Sequence, residues 1–120
     1  MLLALGSQPL IQYQNIVKEV PVADNVIEYA VNFVSETRPK YTNQPLVKDM
    51  VDWGAGPRAS SYLILGAKAK AILDNRTTPD ISDVQAMIKP VLRHRIILNF
   101  NAETEGISKD NILDQLISLV

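Results

Sequence analysis

Apolar side chains recur at intervals of three and four residues through most of this sequence, and prolines interrupt the pattern. That spacing gathers apolar side chains on one face of an α-helix, so it strongly limits what the chain can fold into. Because proline lacks the N–H that a helix interior needs, Pro21 and Pro39 separate successive helices. The pattern predicts five helices, which cover residues 9–20, 22–37, 58–74, 81 to about 94, and the segment after Ser108.

Several residues mark where these helices end. Asn75 is typical of a left-handed residue after a helix, and Asp80 is typical of an N-cap, with Asp83 three residues later near the positive end of the next helix. Pro90 lies inside the fourth predicted helix and should bend it.

One short β pair completes the predicted fold. Residues 96–100 form an apolar β-like run whose natural partner is the segment 50–53, while residues 38–50 form the longest predicted loop. A two-stranded ribbon is marginal alone, so the helices must support it. We therefore expect a mainly α fold, a helical bundle of about five helices with at most one short two-stranded β pair.

Composition excludes several kinds of site and partner. The 120 residues contain no cysteine, which rules out disulfides, and a single histidine, His94, which cannot form a metal site alone. The formal net charge is −1, and Lys and Arg nearly balance Asp and Glu in each half of the chain, so neither nucleic acid nor a membrane surface is expected as a partner. The opening MLLALG is too short for a signal peptide or a membrane span.

The stretch GAGPRAS carries the strongest candidate site. Gly54 and Gly56 permit a tight turn, Pro57 suits a first helical position, and Arg58 then leaves from the positive end of a helix. A cation is unfavourable there by roughly 0.3–1 kcal/mol, unless an anion lies between the arginine and the exposed amide groups. Arg58 is equally explained as a solvated side chain or as the partner of a carboxylate such as Asp52.

The wider pattern resembles one family. GAGPRAS is similar to the GASPRA motif in the C-terminal lid domain of MoxR-type AAA+ ATPases. Other segments also match the family, in the family's order: VKEVPVADNVIEYAVNFVSETR, AKAKAIL, Asn75-Arg76, Asp83-Val84 and VLRHRI. The resemblance covers residues 10–118, with residues 1–8 as a connector or leftover and residues 9–120 as the lid domain. Gly56 departs from the family, which usually has serine there.

The resemblance implies a function that the chain shares with a larger domain. Arg58 matches the sensor-2 arginine, which reaches the γ-phosphate of ATP, and Gly54, Gly56 and Pro57 belong to the same nucleotide-contacting motif. The chain has no G-x-x-x-x-G-K-[ST] loop, so ATP and Mg²⁺ are expected in the full-length protein but not in this chain alone, which should be inactive.

The implied partners are the AAA+ large domain, neighbouring subunits in a ring and a von Willebrand factor A-type protein. The implied role is a chaperone-like, cytoplasmic one. The alternative is a stand-alone helical protein-interaction module without a nucleotide role.

Other residues have weaker claims to a site. Arg93, His94 and Arg95 form the only cationic cluster, which would contact a neighbouring subunit or a nucleotide, or would simply complement the end of the fourth helix. Trp53 and Tyr62 flank the glycine turn, and aromatic side chains there more often belong to a core than to a nucleotide cleft; we expect a core position for Trp53. Arg76 is better explained as a partner of the helix end than as an anion contact.

Overall fold

A computed structural model describes residues 20–120 of the chain, and these residues form six helices and one two-stranded sheet. In chain order the elements are α1 (Asp24–Glu36), α2 (Pro45–Met50), β1 (Val51–Trp53), α3 (Arg58–Leu73), α4 (Ile81–Leu92), β2 (Ile97–Leu98), α5 (Phe100–Glu105) and α6 (Lys109–Leu119). Within residues 20–120, no helix is both long enough and apolar enough to cross a bilayer.

The predicted fold class is confirmed. The helices predicted at 22–37, 58–74, 81–94 and after Ser108 correspond to α1, α3, α4 and α6, with ends that differ by a few residues. The predicted ribbon is also present, since β1 pairs antiparallel with β2. The predicted first helix at 9–20, and the connector assigned to residues 1–8, lie outside the described residues.

Two short helices replace predicted irregular or β structure. The segment 38–50 is not a continuous loop, because α2 begins at Pro45, where the fixed φ of proline favours a helix start, and it buries Val47 and Met50. Phe100 does not extend the strand. The side chain of Asn99 accepts a hydrogen bond from the N–H of Ala102 at 3.1 Å, and this cap starts α5.

The core lies where α3 packs between α1 and α4. Small residues on α3 allow the close approach; an added Cβ on Gly66 would lie only 2.7 Å from the Cε atom of Met87 on α4. The largest fully buried side chains come from five of the six helices and from the segment before β2: Phe33, Val47, Leu63, Val84, Ile88, Leu92, Ile96, Ile112, Leu113 and Leu116. Leu73, the last residue of α3, is exposed.

The connection between α3 and α4 is fixed by hydrogen bonds at both ends. Asn75 has a φ of 61°, and the N–H groups of Asn75 and Arg76 donate to the carbonyls of Ile72 and Ala71, which is the Schellman arrangement. Asp80 caps α4 by accepting from the N–H of Asp83, and the Asp83 side chain accepts from the N–H of Asp80 in return. The predicted left-handed residue and N-cap are therefore confirmed.

Asp83 is completely buried and holds the two helices together. Its carboxylate accepts hydrogen bonds from both terminal nitrogens of Arg76, at 2.6 and 2.5 Å, and from Lys70 Nζ at 3.3 Å. Arg76 therefore serves as a partner of the helix ends. Its hydrogen bonds hold the pKa of Asp83 well below the usual range for a carboxyl group, although burial acts in the opposite direction.

Candidate functional site

The glycine turn that leads into α3 is docked on the end of α1. An added Cβ on Gly54 would lie 2.4 Å from the carbonyl oxygen of Thr37 and 2.6 Å from the Cα atom of Arg38, so only glycine fits this close approach. The buried N–H of Ala55 donates to the Thr37 hydroxyl at 3.1 Å. By contrast, an added Cβ on Gly56 would meet nothing within 4 Å. The turn is thus anchored through its first two residues, while Gly56 and Pro57 are exposed.

Arg58 begins α3 with an exposed side chain. Its guanidinium forms no ion pair with Asp52 or with another carboxylate of residues 20–120, so the explanation as a partner of Asp52 is wrong. Guanidinium is always charged and presents a planar set of donors that matches phosphate or carboxylate. The charged guanidinium of Arg58 therefore faces solvent at the start of α3.

Two backbone N–H groups in the first turn of α3 already have hydrogen-bond acceptors within the chain. The N–H of Ala59 donates to the carbonyl of Gly56 at 3.0 Å, and the N–H of Ser60 donates to the carbonyl of Pro57 at 3.3 Å. The Ser60 hydroxyl also donates to Pro57 O, at 2.8 Å. An anion at this helix end would therefore depend mainly on the guanidinium of Arg58, with less help from exposed amides than the sequence suggested.

A second arginine lies close to this helix face. Tyr62 follows Arg58 by four residues, which places both on one side of α3. The guanidinium carbon of Arg95 lies 4.5 Å from the centroid of the Tyr62 ring, a cation–π distance. Arg95, which sequence reasoning grouped with its two neighbours, is thereby brought to the same side as Arg58.

The other two residues of the cationic cluster have different surroundings. Arg93 forms a two-point contact with Asp110 at the start of α6, through Nε at 2.8 Å and a terminal nitrogen at 3.1 Å. These hydrogen bonds hold the pKa of Asp110 below its ordinary value. His94 is exposed. The sequence cluster is therefore divided, with Arg93 joining two helices and Arg95 on the Tyr62 ring.

Trp53 does not belong to the core, contrary to expectation. Its side chain is 67% exposed, whereas Val51, two residues earlier on the same strand, is buried. Strict two-residue alternation would place both on one face, but the pairing register with β2 is irregular between them. That irregularity turns Trp53 outward beside Ile97, which is also exposed.

A shallow cleft lies beside the start of α3. Its walls come from the second half of α1, the segment after it and the first turn of α3: Val31, Val34, Ser35, Arg38, Tyr41, Pro57 and Ser60. Arg38 and Lys40 both lie over the Tyr41 ring, with the Arg38 guanidinium carbon 5.0 Å and Lys40 Nζ 5.7 Å from its centroid. The helix that carries Arg58 is therefore flanked by further cationic and aromatic side chains.

Known proteins are similar in sequence to this chain over most of its length. The family model of the AAA lid domain matches residues 43–116, more than half of the chain. Chaperone MoxR1 of Mycobacterium tuberculosis (strain ATCC 25618 / H37Rv) is 32% identical over 117 residues, covering 97% of this chain and 31% of MoxR1. The uncharacterized protein YeaC of Bacillus subtilis (strain 168) is 30% identical over 116 residues, covering 97% of this chain and 34% of YeaC. The chain thus spans about a third of the length of these curated relatives.

A solved structure shares the fold as well. The crystal structure of a candidate ATPase from Cytophaga hutchinsonii superposes with a TM-score of 0.82 at 32% identity, covering 88% of this chain and 32% of that one. The sequence resemblance carried by GAGPRAS is therefore confirmed by the family match, by the relatives and by the fold. The chain belongs to the AAA lid domain family, as the lid of a MoxR-type AAA+ ATPase.

Proposed function

We propose that this lid senses ATP through Arg58 in the manner of a sensor-2 arginine. The single observation that supports this role is the exposed Arg58 guanidinium, which has no carboxylate partner among residues 20–120 and extends from a helix start that Gly54 and Thr37 hold in place. In the proposal, the ATP with Mg²⁺ is bound on an αβα domain outside this chain, and the lid closes over it.

The chemistry of Arg58 suits a terminal phosphate. A guanidinium can donate two parallel hydrogen bonds to phosphate oxygens, and it remains charged at any physiological pH. No competing carboxylate has to be displaced, since none of residues 20–120 pairs with Arg58. After hydrolysis Arg58 loses this acceptor, and the lid can then rotate away from the larger domain. Gly54, Gly56 and Pro57 serve in this scheme by holding and aiming the arginine.

The wider role follows from the same proposal. We place the ATPase in a ring, where the lid contacts its own large domain and a neighbouring subunit, with a von Willebrand factor A-type protein as a further partner. Its work is the chaperone-like remodelling of client proteins, which the name of the relative MoxR1 supports. A cytoplasmic location suits a protein that consumes ATP, and cell fractionation would test it.

Replacement of Arg58 in the complete ATPase tests the sensor-2 role. Arg58→Ala should slow ATP hydrolysis much more than it weakens ADP binding, because ADP lacks the group that Arg58 contacts. A charge-assisted hydrogen bond contributes roughly 1.5–3 kcal/mol, or about 10- to 100-fold in rate if it tightens in the transition state. Arg58→Lys should restore only part of the rate, since an ammonium group cannot form the two-point contact.

A matched control separates this effect from a general loss of positive charge. Lys48 is an exposed cation on α2, outside the proposed site, and Lys48→Ala should leave turnover and both affinities unchanged. If Arg58→Ala also matches the unmutated enzyme in ATP turnover, ATP affinity and ADP affinity, the arginine has no sensor role. The alternative of a helical interaction module without nucleotide function would then be favoured.

A further inference from the structure

We propose that Thr37 is a positioning residue for Arg58, acting through the backbone of Ala55. The inference rests on the proposed sensor-2 role of Arg58. Thr37 follows the last residue of α1 and is only 1% exposed. It lies 18 residues before Ala55 in the sequence, yet its hydroxyl accepts the Ala55 N–H at 3.1 Å.

The hydroxyl of Thr37 acts as both a hydrogen-bond donor and a hydrogen-bond acceptor. It donates to the carbonyl of Val34 at 2.6 Å, which fixes the orientation of the side chain, and its oxygen then receives the amide of the glycine turn. Ending α1 does not by itself require these two hydroxyl hydrogen bonds, because the backbone N–H of Thr37 already donates to the carbonyls of Phe33 and Val34. The second contact therefore ties α1 to the turn.

Little freedom remains between Ala55 and Arg58. Ala55 and Ala59 are both buried, at 0% and 1% exposure, and they fix the chain on each side of the exposed residues 56–58. Pro57 restricts its own φ, and the carbonyl of Gly56 accepts the N–H of Ala59 at 3.0 Å, so a displacement at Ala55 would shift the first turn of α3. Gly54 lies directly on the backbone of residues 37 and 38, so the turn is in close contact with the end of α1 beside the hydrogen bond between Thr37 and Ala55.

The test compares three variants in the complete ATPase. Thr37→Val keeps the shape and removes the hydroxyl, whereas Thr37→Ser keeps the hydroxyl. Thr42→Val is the matched control. Thr42 is also buried, and its hydroxyl donates to Glu36 and accepts from the N–H of Gln44, but it makes no hydrogen bond to the turn.

We expect Thr37→Val to lower kcat for ATP hydrolysis roughly tenfold with ADP affinity unchanged, because small misplacements of a positioned group are costly. Thr37→Ser should restore most of the rate, and Thr42→Val should keep it even where it lowers thermal stability. In the Arg58→Ala background, Thr37→Val should cause no further loss, since it acts through the arginine. Hydrogen exchange should show a faster Ala55 amide in Thr37→Val but not in Thr37→Ser.

Each result has a distinct meaning. An unchanged kcat in Thr37→Val, or an equal loss in Thr42→Val, overturns the positioning role while leaving the sensor-2 proposal intact. A full additional loss in the Arg58→Ala background also overturns it. If Arg58→Ala itself has no effect on turnover, the proposed function fails first, and the exchange of the Ala55 amide still shows whether Thr37 holds the turn.

Discussion

Replacement of the buried Asp83 should destabilise the domain strongly. Asp83→Asn removes the negative charge from a side chain with no exposure to water and places an amide group against the guanidinium of Arg76. Breaking a buried ion pair costs roughly 3–5 kcal/mol. We expect the lower end, about 3 kcal/mol, because Arg76 and Lys70 keep 35% and 40% of their side chains exposed and can be solvated in the variant.

Thermal or urea denaturation of the chain measures this loss, which corresponds to a fall of about 10 °C in Tm for a domain of this size. Asp74→Asn is the matched control. Asp74 also pairs with Lys70 and Arg76, but its side chain is 49% exposed, and ion pairs in water contribute little. The control should therefore unfold close to the unmutated protein.

The pH dependence gives the effect a second signature. The folded-state pKa of Asp83 lies below its unfolded value, which is about 3.9, so its stabilisation is present above that pH and is lost as the pH falls below it. Asp83→Asn lacks this titration. The difference in unfolding free energy between the unmutated protein and Asp83→Asn should therefore narrow on acidification from pH 7 to about pH 3. A gap that stays constant, or an Asp74→Asn variant that loses as much, would refute the role assigned to the buried pair.

Three further outcomes follow from the turn, the helix end and the missing phosphate loop. Gly54→Ala should lower the unfolding free energy by at least about 1–3 kcal/mol because its Cβ meets the backbone of Thr37, whereas Gly56→Ser should be neutral in the same urea titration. Asn75→Ala should cost about 1 kcal/mol in thermal denaturation, because alanine tolerates a φ of 61° poorly, and Asn75→Gly should not. Phosphate release by the isolated chain should stay at background with ATP, and turnover that co-purifies with the chain would contradict this.

The features that could be predicted from sequence are those set by neighbouring residues. Asp80 and Ser108 cap helices whose first turns immediately follow them, and the Ser108 side chain accepts from the N–H of Asn111 as the spacing suggests. Asn75 likewise needs only the helix before it. The four longer helices in residues 20–120 carry enough apolar residues for their period to be visible, and they were predicted.

The features that were missed depend on contacts distant in sequence. The helices α2 and α5 have six residues each, too few to show a period, and they form beside the ribbon that joins them. The outward position of Trp53 depends on the irregular register between β1 and β2. For the candidate site, GAGPRAS was enough to single out Arg58, but the 18-residue separation of Thr37 and Ala55 leaves no local signal.

These contacts also explain how a change at Arg58 can reach the rest of the lid. The helix α3 packs against both α1 and α4 and is fixed at each end, by Thr37 and Gly54 at its start and by the Arg76–Asp83 pair just after its finish. Its sixteen residues span roughly 24 Å at 1.5 Å per residue. A helix held at both ends and packed on two sides cannot shift alone. In the proposed sensor-2 role, a pull on Arg58 would therefore move α1, α3 and α4 together, as expected of a lid that turns as a unit.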